Sequence, residues 1–167
     1  MDELTAERLR DALDYNPETG EFRWKSPRKK VVVGSIAGCV SSDGYRRIRI
    51  DGDRYRAHRL AWLYVNGRWP AFDIDHINGL RADNRIENLR EARRGENNQN
   101  KRSPQTNNKS GFLGVTRRKD TGRWRAAIMI SRKHISIGDF ETPEEAYAAY
   151  LKAKAEFHPF QTIAEAA

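Results

Sequence analysis

The sequence contains one cysteine, Cys39, among its 167 residues. A lone cysteine excludes an internal disulfide and a zinc site built on two or four cysteines, so we expect no structural zinc and interpret Cys39 as a small buried hydrophobic residue. The sequence also lacks an apolar run near the roughly 18 residues of a membrane span. Its first residues, MDELTAERLRDAL, are acidic and amphipathic, unlike a signal peptide. We therefore expect an intracellular protein with no membrane partner.

Hydrophobic residues make up only 38% of the chain, but four Trp, six Tyr and six Phe provide large side chains for a core. A chain of this length folds as one domain or as two small ones. We therefore expect a folded protein in spite of its low apolar content.

Positive charge is concentrated in one part of the chain. Residues 90–125 hold eleven Lys or Arg and three Asp or Glu, which accounts for the whole net charge of +8. The remaining residues carry equal numbers of acidic and basic side chains. A local positive field in an otherwise balanced protein indicates a polyanionic partner, most simply nucleic acid.

The first hundred residues alternate short helical and strand patterns. The sequence predicts helices over 4–14, 58–65 and 89–101, strands over 21–25, 44–50, 53–57 and 72–77, and breakers at 16–20. Asp51-Gly52 between two strand patterns predicts a hairpin. The last of these helices is weak because Gly95 and several Asn and Gln residues disfavour it.

The C-terminal part has a simpler pattern. Residues 102–110 have no large hydrophobic side chain and are predicted to be a linker. Strands are expected over 114–118, 123–130 and 134–137, and a helix from Thr142 to about Phe157 with a capping box and Pro143 at its first position. The fold class is therefore α+β, ending in a three-stranded antiparallel sheet packed on one helix.

Asp75-His76, Asn88 and Asn97 form the densest set of candidate site residues, with Asn88 twelve residues after the histidine and Asn97 nine further on. The Asp75 carboxylate and the Asn97 amide carbonyl are hard oxygen donors that suit Mg²⁺ or Mn²⁺. His76 has the side chain best matched to removing a proton from water near neutral pH. Asn98 and Asn100 offer the same chemistry as Asn97.

Two further polar residues near this set are alternative candidates. Asn84 is an alternative to Asn88, although the setting Glu87-Asn88-Leu89 matches the motif better. His58 lies outside the motif, and we interpret it as a hydrogen-bonded packing residue. Because neighbouring strand residues face opposite ways, Asp75 and His76 can flank one phosphate only if the strand ends or twists there.

The segment DHINGLRADNRIENLREA, with DYNPETGEFRWK and GYRRIRIDGDRYRAHRLAWLYVNGRWP before it, resembles phage-type HNH endonucleases in which asparagine replaces the final histidine. The resemblance implies a ββα-metal core, preceded here by N-terminal strands and a hairpin. It implies one divalent metal ion held by Asp75 and Asn97, with His76 as the general base and Asn88 fixing its imidazole. It also implies a nick with 5′-phosphate and 3′-hydroxyl ends, and a phage or homing gene acting in the cytoplasm of a bacterial or phage-infected cell.

Residues 111–159 resemble the AP2 domain through GV at 114–115, GRW at 122–124, IGDF at 137–140 and TPEEA at 142–146. That resemblance implies a sheet that lies in the DNA major groove, backed by the helix. Period-two alternation predicts that one face of the sheet meets the helix through Val115, Trp124, Ala126, Ile128, Ile135 and Ile137. The same alternation turns outward Thr116, Arg118, Arg125, Ala127, Met129, His134 and Ser136.

Phosphate contacts are the safer expectation for this outer face, because base-reading side chains are scarce on it. The predicted DNA-binding residues are Arg117, Arg118, Arg123 and Arg125, with Asp120 as the one acid nearby, and Arg93 and Arg94 next to the HNH-like motif.

We thus expect a nuclease domain over 1–101 (motif about 55–101), a linker over 102–110 and an AP2-like domain over 111–160. The predicted function is metal-dependent hydrolysis of phosphodiester bonds in double-stranded DNA by a monomer. The alternative is a non-catalytic DNA-binding regulator in which the HNH-like unit serves as a scaffold.

Overall fold

The computed structural model describes residues 4–27, 31–100, 104, 108–130 and 133–158, apart from the side chains of Arg94 and Asn98. It is a mixed α/β structure of small antiparallel sheets and few helices. Internal contacts divide the chain into two units, Met1–Arg94 and Gly95–Ala167. Of the predicted linker, residues 102, 103 and 105–107 lie outside the described part.

The described residues of the first unit form three small sheets. Its elements are α1 (Ala6–Ala12), β1 (Leu13–Asn16), β2 (Glu21–Trp24), β3 (Cys39–Val40), β4 (Arg46–Ile50), β5 (Asp53–Arg56), α2 (Ala57–Asn66), β6 (Asp73–His76), a 3-10 turn (Ile86–Asn88) and β7 (Leu89–Ala92). Strands β1 and β2 pair, β4 lies between β3 and β5, and β6 pairs with β7, all antiparallel. Helix α3 (Arg94–Gln99) then follows across the boundary between the units.

Local chemistry explains several of these boundaries. The Thr5 hydroxyl accepts a hydrogen bond from the Arg8 N–H and caps α1. The hairpin between β4 and β5 turns at Asp51-Gly52, where both residues have positive φ, as its turn type requires. Gly67, also with positive φ, ends α2.

Large side chains from α1, α2 and the strands form one core in the first unit. The most fully buried are Phe22, Leu9, Leu13, Ile48, Ile50, Leu60 and Leu63. Helix α2 thereby lies against β4 and β5, and its first turn brings His58 inside.

Two expectations for this unit are wrong. The helix expected over 89–101 is a strand as far as Ala92, because residues 89–92 pair with β6 and gain a ladder of hydrogen bonds that the weak helix former could not outweigh. Cys39 is exposed rather than buried, because it lies on the short strand β3 at the edge of its sheet.

The second unit continues with β8 (Val115–Arg117), β9 (Trp124–Ile130), β10 (Lys133–Phe140) and α4 (Pro143–Phe157). Strand β9 lies in the middle of the antiparallel sheet, and α4 covers one face. A capping box between Thr142 and Glu145 starts α4, as expected from the sequence. The core consists of Val115, Ala126, Ile128, Ala146 and Tyr150.

A β-bulge between Ser136 and Gly138 changes which side chains share a face of this sheet. The extra residue reverses the alternation, so Phe140 lies opposite Trp124 and Asp139 lies opposite Arg125. Ile135, expected to meet the helix, is 45% exposed. The expectation that Ile135 meets the helix is therefore wrong, and the bulge lies at the end of the strand expected over 134–137, which continues to Phe140.

Candidate active site

Asp75 and His76 are the last two residues of β6, and both are buried. In the ladder with β7, Asp75 lies opposite Arg90 and His76 lies opposite Leu89. The chain turns at once after the histidine, since the Gly79 N–H donates to the His76 carbonyl at 2.8 Å. The expected strand end thus falls directly after the Asp-His pair.

The Asp75 carboxylate is paired with an arginine. Arg90 Nε and Nη2 both donate to Asp75 Oδ2, at 3.1 and 2.9 Å. Both side chains are largely buried, so the pair is shielded from solvent. A cation bound at Asp75 would share this carboxylate with the Arg90 guanidinium.

His76 lies in an environment that keeps its imidazole neutral. Burial lowers the pKa of His76, and the Asn84 side chain, Asp75 and Asp83 oppose that shift only in part. A neutral imidazole at neutral pH is the form that can accept a proton from water. Its burial and charge environment therefore suit a general base.

A second histidine, His58, lies against the first. The two imidazole centroids are 4.9 Å apart in an edge-to-face arrangement, and His58 is only 4% exposed. Burial and the nearby His76 lower the pKa of His58 to about 3. Among the described residues, no group forms a hydrogen bond with His58 Nδ1. The expectation of a packing histidine is met, but the expected hydrogen bond is not found at Nδ1, and the sequence did not predict that His58 packs on His76.

Asn88 holds the loop that follows His76. Its Oδ1 accepts from the Asn78 N–H at 2.9 Å, and its Nδ2 donates to the Asp83 carbonyl at 2.9 Å. The Ile77 N–H also donates to the Asn88 carbonyl. These bonds fix the start of the loop relative to its end, so Asn88 orients the backbone directly after the histidine.

Asn84, considered as an alternative to Asn88, is 1% exposed and raises the pKa of His76. Its Nδ2 donates to the Ala82 carbonyl at 2.9 Å, and no described donor forms a hydrogen bond with its Oδ1.

The N-terminal hairpin supports the backbone at Asn84. The Tyr15 hydroxyl donates to the Asn84 carbonyl at 2.7 Å. Gly20 has a φ of +72°, and a Cβ at this position would lie 2.5 Å from the backbone of Asn84 and Arg85. The close approach requires glycine. The hairpin segment DYNPETGEF thus acts as a support for the loop beside His76.

The proposed metal ligand Asn97 lies on α3, in the second unit, and is half-buried. Asn100, one of its competitors, is buried, and its N–H donates to the Asn97 carbonyl. The side chain of the other competitor, Asn98, lies outside the described part. Among the described residues, no three His, Cys, Asp or Glu side chains cluster as metal ligands would.

The arginines of the C-terminal sheet have more acidic neighbours than expected. Arg118 pairs with both Asp120 and Asp139, and Arg125 donates to Asp139 at 2.9 Å. Arg125 and then Arg118 hold the pKa of Asp139 below its usual range. The expectation that Asp120 is the one nearby acid is wrong, because the β-bulge turns Asp139 toward the arginines.

The remaining predicted DNA-binding arginines differ in their partners. Arg123 pairs with Glu141 at 2.9 Å, whereas Arg117 donates to the Gly122 carbonyl and lies over the Trp124 ring. Arg93 is exposed and lies over Phe72. The side chain of Arg94 is outside the described part.

Comparison with known proteins locates a family match on this site. An HNH endonuclease family model matches residues 55–99, from β5 to α3. "Protein 3.8" of Escherichia phage T7 is 34% identical over 79 residues, which are 47% of this chain and 64% of the phage protein. The match thus spans less than two thirds of that relative. No solved structure matches the chain significantly. No helix of the described residues is both long enough and apolar enough to cross a membrane.

Proposed function

We propose that this protein is a metal-dependent endonuclease that hydrolyses phosphodiester bonds of double-stranded DNA. The observation that carries the proposal is a buried His76 at the end of β6, next to Asp75 and inside the segment that matches the HNH endonuclease model. The regional positive charge supports DNA as the substrate.

His76 would take the proton from the attacking water, and His58 and Asn84 would hold the imidazole. Asn88 would position the histidine through the backbone of the loop. Asp75 would carry a divalent cation, with Asn97 as the second protein ligand. One carboxylate and one amide carbonyl fit Mg²⁺ or Mn²⁺, because such ions keep several waters and bind substrate phosphates. The ion would supply charge neutralisation at the scissile phosphate and its leaving oxygen.

We further propose that the C-terminal unit binds duplex DNA through its sheet, as the resemblance to AP2 domains implies. The exposed Arg117, which has no carboxylate partner among the described residues, supports this role. The other three arginines, Arg118, Arg123 and Arg125, are already paired with carboxylates. They would contact phosphates only if each guanidinium were shared between its carboxylate partner and the phosphate.

The experiment is a plasmid-nicking assay with the full chain in Mg²⁺ or Mn²⁺, comparing wild type, His76→Ala and Leu151→Ala. Leu151 is an exposed residue of α4, away from the outward face of the sheet, and serves as the control. Wild type and the control should nick, and His76→Ala should lose at least about a hundredfold in rate, the lower range for general base catalysis.

Nicking at the wild-type rate by His76→Ala would contradict the catalytic assignment. Duplex binding without metal-dependent cleavage by the wild type would instead favour the alternative, a non-catalytic DNA-binding regulator.

A further inference from the structure

Two arginines from separate segments face one aromatic ring beside the candidate active site. The guanidinium carbon of Arg56, at the end of β5, lies 4.7 Å from the Tyr45 ring centroid. That of Arg81, in the loop after β6, lies 5.2 Å from the same centroid. Tyr45 thereby brings together two positive charges that are 25 positions apart in the sequence.

Neither guanidinium forms a salt bridge with a carboxylate in the part of the chain that the structure describes. Arg81 donates to the Asp43 carbonyl at 2.8 Å, and both arginines are exposed. Neighbouring arginines behave differently, since Arg47 pairs with Asp43 and Arg85 with Asp83. Two like charges at one half-buried ring repel each other, and stacking on the ring offsets this repulsion only in part. An anion would relieve this repulsion.

The ring also contacts both buried histidines. The Tyr45 centroid is 5.2 Å from that of His58 and 5.9 Å from that of His76. Because Arg56 and Arg81 stack on this same ring, both positive charges lie next to a side chain that contacts His76, the proposed general base.

We infer that Arg56 and Arg81, held by the Tyr45 ring, form a clamp for a backbone phosphate of the nucleic acid next to His76. The inference rests on the proposed function in one respect, that the anion is a phosphodiester of the substrate. A guanidinium donates two parallel hydrogen bonds to a phosphate, and two exposed guanidiniums would give the phosphate a fixed orientation. Arg56 and Arg81 thus bind the substrate, and Tyr45 positions them.

The test is equilibrium binding of a labelled DNA duplex by the full chain in EDTA, so that cleavage does not interfere, at several salt concentrations. Log affinity falls as log salt rises. Arg56→Gln and Arg81→Gln should each make this slope less steep by about 0.9, and the double variant by about twice that. The matched control is Arg49→Gln, an exposed arginine of β4 that donates to the Gly52 carbonyl and removes the same charge.

Variants of Tyr45 distinguish a clamp from a general effect of charge. Tyr45→Phe keeps the ring and should keep the slope. Tyr45→Ala removes the ring without changing the charge, and should lower the slope toward that of the double variant while circular dichroism shows a folded chain. The inference would be overturned if the arginine variants had the same slope as wild type or the same slope as Arg49→Gln.

Failure of the clamp and failure of the nuclease are distinguishable. If the arginine variants lose slope but wild type does not nick DNA, the clamp stands and the catalytic proposal fails. If wild type nicks in a His76-dependent way while the arginine variants bind DNA as wild type does, the clamp is wrong and the nuclease stands.

Discussion

The two units differ in how their arginines are partnered. Beside His76, Arg56 and Arg81 face the Tyr45 ring and have no salt bridge to a described carboxylate. On the C-terminal sheet, a single carboxylate, that of Asp139, pairs with both Arg118 and Arg125. The strongly basic segment of the sequence therefore contains partly neutralised charge, while the balanced segment contains two exposed cations. Counting charges along a chain does not locate the positive surface.

The largest expected effect comes from a variant that destabilises the second unit and leaves the first unit folded. Gly114 has a φ of +75°, and a Cβ there would lie 2.2 Å from the Tyr150 ring. Gly114→Ala should lower the free energy of unfolding of the second unit by about 2 kcal/mol more than Gly111→Ala, because overpacking adds to the backbone strain that both variants share.

Gly111 is the matched control because it has a φ of +76° and nothing within 4 Å of a Cβ. Urea unfolding followed by circular dichroism measures the difference. If the C-terminal sheet contributes to binding, duplex affinity should fall at temperatures where Gly114→Ala alone has unfolded this unit. Equal destabilisation by the two variants would show that the Tyr150 contact is not tight.

A second expected difference between the units lies in their stability at low pH, and it depends on His58 in the first unit. Its pKa is about 3 in the folded chain and near 6.5 when unfolded, so the unfolded state binds more protons between these values. The stability from a neutral His58 is complete above pH 6.5 and is lost as the pH falls toward 3, by at most about 1.4 kcal/mol per pH unit.

The check is urea unfolding at pH 7, 6 and 5, followed by tryptophan fluorescence. Three of the four tryptophans, Trp24, Trp62 and Trp69, lie in the first unit. His58→Gln should flatten the pH dependence by roughly 1 kcal/mol per pH unit, whereas His134→Gln, in the second unit, should leave it as in wild type. An unchanged slope in His58→Gln would mean that the imidazole is not buried in solution.

The smallest effect should come from releasing the paired arginines. Asp139→Asn removes the carboxylate that Arg118 and Arg125 share, so Arg125 becomes available to phosphates while Arg118 keeps Asp120. Duplex affinity should rise about threefold, and its salt dependence should steepen by up to about 0.9. Glu144→Gln, on the exposed first turn of α4, makes the same change in net charge and should have less effect. Equal effects of the two variants would show that the sheet arginines do not contact DNA.

Sequence patterns predicted most of the elements but not the details that arise from pairing between distant segments. The Asp51-Gly52 hairpin and the capping box at Thr142 depend on neighbouring residues, and both are confirmed. Strand β7 was wrongly predicted as helix, because its stability comes from β6, thirteen or more residues away. The bulge before Gly138 shifts the register by one position, which no local pattern shows.

The candidate site was predictable to the same extent. Asp75, His76 and Asn88 are close in sequence, and their spacing together with the resemblance to HNH endonucleases made them candidates. The pairing of Asp75 with Arg90 and the packing of His58 on His76 depend on the tertiary fold. The contact of Tyr45 with both histidines was also missed, since aromatic residues in a strand pattern give no signal beyond core packing. The roles of Asn97 and of the metal ion stay predictions.

The Tyr15 and Gly20 contacts with the backbone at Asn84 and Arg85 have a practical consequence for anyone who isolates the part of this chain that matches the HNH endonuclease model. The family match begins at residue 55, so a minimal fragment chosen from that match would discard the hairpin on which the Asn84 segment rests. Such a fragment would contain every proposed catalytic side chain and still lack the buttress that keeps them in place. The smallest useful fragment must therefore begin no later than β1, some forty residues upstream of the family match.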